Sequence, residues 1–297
     1  MTGGRKADSA SGGIAIPASA VPTAKLPSGA PVPILGQGTW GMGEKARRRQ
    51  EEIAALQLGL DLGMTLIDTA EMYGDGEAEV LVSEAIAGRR QEVFLVSKVL
   101  PHNATQKGTI EACERSLKRL RTDRLDLYLL HWRGAPPLAE TLHGFAALIR
   151  AGKIRHWGVS NFDRADMEEL WGLSGGRDAA TNQVLCNLTR RGIEFDLMPW
   201  CRKWRVPIMA YSPIEQGRML NHLTLKNVAA FHEGTPAQVA LAWLLRQDSV
   251  ITIPKAATAA HVQENRNALE LQLTDEDLAA LDKAFSPPTK KQPLEML

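Results

Sequence analysis

The sequence predicts an α/β chain folded as a (β/α)8 TIM barrel, with a β-hairpin in front and an extra helix at its C-terminal end. Three observations carry that expectation. Eight short apolar runs alternate with helical patterns along the 297 residues. The runs are apolar throughout rather than alternating, which suits parallel strands buried on both faces. Several of them end in polar residues, and barrels of this architecture keep their chemistry at the C-terminal ends of the strands. A doubly wound sheet would usually need fewer strands.

The elements follow in order. Residues 1–23 are rich in Gly, Ser, Ala and Pro and show no periodicity. They are expected to form a mobile leader or a loosely packed arm ahead of one domain spanning 24–297. Lys25-Leu26 and Val32 to Leu35 flank Pro27-Ser28-Gly29, the signature of a short hairpin. Strands are expected at 37–41, 65–70, 93–99, 125–132, 156–161, 183–188, 207–212 and 250–254. Helices are expected at 48–62, where Ile53, Leu56 and Leu60 share a face, and at 77–88, 108–121, 138–151, 164–173, 194–204, 235–247 and 260–269. Thr235-Pro236 stands in N-cap and N1 order. The longest connection runs from Tyr211 to Thr235 and is expected to be a functional loop. Residues 274–285 form the extra helix, with Thr274 and Glu276 or Asp277 at its start, and the proline-bearing tail from Ser286 is expected to lie across the surface.

Composition narrows the function. Lys+Arg 35 against Asp+Glu 34 leaves a net charge of +1, which points away from nucleic acid and from a membrane surface. Cys113, Cys186 and Cys201 are too scattered for a disulfide framework or a zinc site. No apolar run approaches the ~20 residues of a membrane span, and the N-terminus lacks a signal-peptide pattern. A reduced, cytoplasmic setting is the expectation.

One motif points elsewhere. Gly36-Gln37-Gly38-Thr39-Trp40-Gly41 matches G-x-G-x-x-G, with Asp68 further on. The preceding Pro31-Val32-Pro33-Ile34-Leu35 is a poor central strand, and no helix opens at Gly41. These glycines are expected instead to let the backbone pass close to the barrel mouth or to a ligand.

The strand ends hold the chemistry. Asp68 closes the second expected strand, Lys98 the third, His131 the fourth, Ser160-Asn161 the fifth and Tyr211-Ser212 the seventh. A charge at a buried strand end needs a partner, and Asp68 and Lys98 on neighbouring strands can supply each other. Singly, an Asp–Lys pair or a strand-end His is often structural. Together with Tyr73, five residues past Asp68, they form an acid, lysine, histidine and tyrosine set suited to proton transfer. The ammonium of Lys98 is expected to lower the Tyr73 titration, making it a proton donor, with His131 a second donor to an oxygen gaining charge. Carbonyl reduction needs this set, and no side chain supplies hydride, so a nicotinamide cofactor is implied.

At these residues the chain resembles the aldo-keto reductase family, from about Leu35 to Phe285. The likeness is carried by Gly38-Thr39-Trp40, Leu66-Ile67-Asp68-Thr69-Ala70 with Tyr73-Gly74, Val96-Ser97-Lys98, Asp126 to Trp132, Gly152-Lys153-Ile154-Arg155, Gly158 to Phe162, Tyr211-Ser212-Pro213, Ile253-Pro254-Lys255 and Glu264-Asn265. The resemblance implies an NADPH-dependent enzyme whose catalytic tetrad falls on Asp68, Tyr73, Lys98 and His131. It implies that Ser160, Asn161 and Gln183 hold the nicotinamide carboxamide and that Tyr211 stacks on the ring. Ser212, Pro213, Ile214 and Gln216 would meet the pyrophosphate, and Lys255, Thr258, His261, Glu264 and Asn265 the adenosine end, with Gly38, Thr39, Trp40 and Ile253 beside the cofactor. Trp40 and Trp132 would wall the substrate pocket beside Tyr73 and His131, or else belong to the core. Tyr128, inside a strand, is expected to be packing.

One stretch departs from the family pattern. Ala256 and His261 stand where the family often has Ser and Arg against the 2′-phosphate. Lys255 is a point charge without the bidentate fork of arginine, so discrimination against NADH is expected to be weaker than in Arg-bearing relatives. Small aldehydes, 2-oxoaldehydes or keto sugars fit a mixed aromatic and polar mouth, and the resemblance implies a monomer. A cofactor-binding regulatory or redox-sensing subunit is the alternative; it would bind NADPH without turning over aldehydes. A metal-dependent barrel hydrolase would want clustered ligands, and among seven histidines only His131 ends a strand.

Overall fold

A computed structural model describes residues 20–297. The expected leader lies outside the described residues up to Ser19, and the chain is built in before the expected boundary at 23. Val21 is buried beside Leu35, Met64 and Ala256, and the Pro22 carbonyl accepts from the Ile34 N–H.

The hairpin pairs β1 (Thr23–Lys25) antiparallel with β2 (Pro31–Pro33) around the Pro27-Ser28-Gly29 turn. Eight parallel strands follow in sequential order: β3 (Gln37–Gly38), β4 (Leu66–Asp68), β5 (Phe94–Val99), β6 (Leu125–Leu130), β7 (Ile154–Ser160), β8 (Asn182–Leu185), β9 (Ile208–Tyr211) and β10 (Val250–Thr252). Bridges Leu35–Thr252 and Gly38–Lys255 join the first strand to the last and close the cylinder. At that seam a Cβ on Gly38 would stand 2.8 Å from the Ile253 carbonyl oxygen. The G-x-G-x-x-G glycine is therefore explained by barrel closure.

The two faces of each strand go to different layers, which is why the runs read as continuously apolar. In β6, Leu127 and Leu129 fill the barrel interior with Val96, Met209 and Ile251. Tyr128 and Leu130 face the surrounding helices, where Tyr128 meets Phe145 edge-on. Leu26 and Val32 of the hairpin join the interior cluster, so the hairpin stoppers one end of the barrel.

The outer layer holds α1 (Arg49–Asp61), α2 (Glu77–Ala85), α3 (Gln106–Leu120), α4 (Leu138–Arg150), α5 (Arg164–Gly172), α6 (Leu197–Trp204), α7 (Leu223–Phe231), α8 (Pro236–Leu245), α9 (Ala259–Asn267) and α10 (Asp275–Ala284). Thr235 and Gln238 form a capping box for α8, and Thr274 and Asp277 one for the extra helix α10. Helix α7 lies inside the Tyr211–Thr235 connection, which the sequence left as a loop. Its three buried residues, Leu225, Val228 and Ala229, make too short a stripe to stand out. No helix among the described residues is long and apolar enough to cross a membrane.

Candidate active site

The strand register brings the expected polar residues to one mouth of the barrel. Gly38 pairs with Asp68, Ser160 with Gln183, and Leu185 with Tyr211. There a cleft of about 550 Å³ opens, a size suited to a cofactor-scale ligand.

Asp68 and Lys98 are 2% and 0% exposed, Asp68 in the cleft floor and Lys98 beneath it. The ammonium of Lys98 uses three donors: to Asp68 Oδ2 at 2.7 Å, to the Thr69 carbonyl at 2.9 Å and to the Tyr73 hydroxyl oxygen at 3.0 Å. Asp68 Oδ1 accepts from Gln183 Nε2 at 2.8 Å. Burial alone would lower the Lys98 titration; the Asp68 carboxylate and the Tyr73 oxygen overcome it, and the group stays charged. An ammonium can only donate, so the Tyr73 oxygen accepts from Lys98 and its own proton is free to point elsewhere.

The expected direction for Tyr73 is corrected by the structure. Burial of the hydroxyl pushes its titration above 10, outweighing the attraction of Lys98, and Asp68 adds to the rise. The net charge near Tyr73 is smaller than Lys98 alone suggests, because Asp68 accompanies it. Tyr73 is therefore a phenol at neutral pH. Its ring meets that of His131 edge-on at 5.8 Å.

His131 follows β6 directly and is buried. Burial and the Lys98 charge drive its titration down to about 2, so it is a neutral imidazole carrying one N–H. Its Nδ1 has no protein partner. Trp132 packs against it at 4.9 Å, and Trp40, 56% exposed, stands at the lip.

Beyond the tetrad the cleft is polar and backbone-strained. Asn161 donates to the His131 carbonyl at 3.1 Å and accepts from the Tyr211 hydroxyl at 3.0 Å. Asn161, Ser212, Glu215 and Gln216 all hold positive φ, between 46° and 57°. Such strain is kept where surroundings fix it, and Asn187 grips this loop through the Ser212 carbonyl at 2.9 Å and Glu215 at 2.8 Å.

Of the expected site residues, Gly38, Thr39, Trp40, Asp68, Tyr73, His131, Trp132, Ser160, Asn161, Gln183, Tyr211, Ser212, Pro213, Ile214, Gln216, Ile253, Lys255, His261, Glu264 and Asn265 line this one cleft. Lys98 lies under it. Thr258 is not in the lining: its hydroxyl caps α9, accepting from the His261 N–H. Ala256 is buried among apolar neighbours. Gly41, among the glycines expected at the mouth, and Met296 and Leu297, from the tail past Ser286 that the family resemblance places at the pocket, also line the cleft, whereas Met72, Gly217, Leu220 and Ala237 were not expected there. Only adjacency to Tyr73 could have flagged Met72. Among the described residues no cluster of three or more His, Cys, Asp or Glu could hold a metal ion.

The donor set fits a nicotinamide dinucleotide. Asn161 and Gln183 are bonded to the His131 carbonyl and to Asp68, Ser160 lies beside them, and the loop 212–217, Lys255 and His261 line the same cleft.

Comparison with known proteins gives concordant results. The model of the Aldo/keto reductase family matches residues 34–285. Methylglyoxal reductase YeaE of Escherichia coli (strain K12) is 55% identical over 271 residues, covering 90% of this chain and 95% of the relative. Glyoxal reductase of Bacillus subtilis (strain 168) is 33% identical, with 90% and 94% covered. The crystal structure of an aldo/keto reductase from Klebsiella pneumoniae in complex with NADP and acetate superposes with a TM-score of 0.91 at 50% identity, covering 93% of this chain and 99% of that one.

Proposed function

This chain belongs to the aldo/keto reductase family of oxidoreductases, and from that we propose that it reduces 2-oxoaldehydes of the methylglyoxal class with NADPH, with Tyr73 as the proton donor. The observation that carries the chemistry is the bonded series Asp68–Lys98–Tyr73 opening onto a cleft beside a neutral His131.

Ser160, Asn161 and Gln183 would hold the carboxamide, Tyr211 the ring face, Ser212 to Gln216 the pyrophosphate, and Lys255, His261, Glu264 and Asn265 the adenosine end. NADPH, when bound, supplies the hydride that reduces the carbonyl carbon. Tyr73 Oη donates its proton to the carbonyl oxygen as charge develops there. Lys98, already bonded to Oη, stabilises the phenolate left behind, and Asp68 keeps Lys98 charged. The N–H of His131 gives a second hydrogen bond to the same oxygen, and as a neutral donor it does not compete for the acid role. Trp40, Met72, Trp132, Met296 and Leu297 make the carbonyl end apolar, which suits a small uncharged substrate. The names of the Escherichia coli and Bacillus subtilis relatives support 2-oxoaldehydes over keto sugars.

The test is loss of NADPH absorbance with methylglyoxal, glyoxal, simple aldehydes and keto sugars. Methylglyoxal should give the highest kcat/KM. Tight NADPH binding with no turnover of any carbonyl would instead support a regulatory subunit.

A further inference from the structure

The C-terminal tail and the loop after β9 meet at one side chain. Arg190 sits in the turn after β8, bridged to Asn187. Its guanidinium donates to Glu215 Oε1 through Nε at 3.2 Å and Nη2 at 3.1 Å, and to Glu295 through Nη1. Glu215 is 4% exposed, holds φ +50°, and belongs to the loop assigned to the pyrophosphate. Asn187 and Arg218 also hold it, at 2.8 and 2.9 Å. Glu295 immediately precedes Met296 and Leu297, which line the cleft and which the proposed function assigns to its carbonyl end. Further back, Lys291 reaches Asp196 at 3.8 Å, Gln292 lies over Gly192, and Leu294 packs against the core.

We propose that Arg190 is a positioning residue that fastens the tail wall of the carbonyl pocket to the cofactor loop, so that ordering either one orders the other. The planar fork of a guanidinium can grip two carboxylates from two segments at once, which a lysine cannot match. The partners are unequal in a way that gives the proposal a direction. Without Arg190, Glu215 keeps two other donors, whereas Glu295 loses its grip on the loop. The damage should therefore fall on the tail, and through it on carbonyl binding, more than on the hydride step. This rests on the reading of the cleft as a carbonyl and NADPH site.

The experiment uses the full chain, with hydrogen exchange followed on the tail peptide 286–297 with and without NADPH, alongside steady-state kinetics with methylglyoxal. In the wild type, NADPH should slow exchange in the tail. In Arg190→Met and Glu295→Gln the tail should exchange about tenfold faster, the loss of one charge-assisted hydrogen bond, and should no longer respond to NADPH. KM for methylglyoxal should rise several-fold, roughly in step, while kcat stays within about twofold. The double variant should be no worse in KM than Arg190→Met, because both changes break one link. Arg190→Lys should restore little of the coupling and guards against misfolding of the Met variant. Multiplying KM effects in the double variant, or a tail in Arg190→Met that still answers to NADPH, would overturn the link. Failure of the wild type to bind NADPH would remove the cofactor reading instead; tails equally freed by the two substitutions would then still uphold the fastening, and unequal ones would overturn it.

Discussion

Replacing Lys98 by Met tests the buried pair at the centre of the site. At 2.7 Å from Asp68, the attraction in a medium of effective dielectric 20 is about 6 kcal/mol before desolvation. Met fills similar volume, yet Asp68 Oδ2, the Thr69 carbonyl and the Tyr73 oxygen each lose the ammonium. Asp68 would be left buried with Gln183 as its side-chain donor. Removing one member of such a pair costs about 3–5 kcal/mol, because the remaining charge is uncompensated. For a chain of this length that is a drop in Tm of roughly 5–8 °C. Circular dichroism melts read it directly. Adding Asp68→Asn to Lys98→Met removes the stranded charge and should recover part of the loss. A Lys98→Met protein destabilised by less than about 1 kcal/mol, or a double variant worse than the single one, would refute the reasoning.

Three further outcomes follow from the site. Tyr73→Phe should lower kcat for carbonyl reduction by roughly 10²- to 10⁴-fold while leaving the NADPH Kd unchanged, measured by fluorescence titration. His131 titrates near 2 when folded against an ordinary 6.5, so the unfolded chain binds the extra proton and stability falls as pH drops below 6.5. Between pH 7 and 5 this should cost the wild type about 2 kcal/mol that His131→Gln does not lose, read by urea unfolding at both values. The preference for NADPH over NADH in kcat/KM should stay below roughly a thousandfold, since Lys255 and His261 offer no guanidinium fork; a larger ratio would show that other residues hold the phosphate.

Much of this was legible in the residues because two periodicities point the same way. Strand runs such as Leu127 to Leu130 are apolar on both faces, so the polar residues that end them are conspicuous, and parallel register gathers those ends. Asp68, Lys98 and His131 were found that way. Tyr73 lies beyond its strand and was found by its distance from Asp68. Its titration direction was not readable, because burial is a property of the folded surroundings, and a nearby cation alone gave the wrong sign. Thr258 shows a second limit: a residue at the right place in a motif can be spent on capping its own helix. Leu220 and Ala237 show a third, since only the folded chain brings the segments after the ninth strand back to the mouth.

The hairpin plug has a practical consequence. With Leu26 and Val32 seated inside the far end, the barrel is a cup with one rim. Every molecule that arrives must depart by the same route, so traffic at that rim, rather than passage through the centre, governs how fast the cup empties.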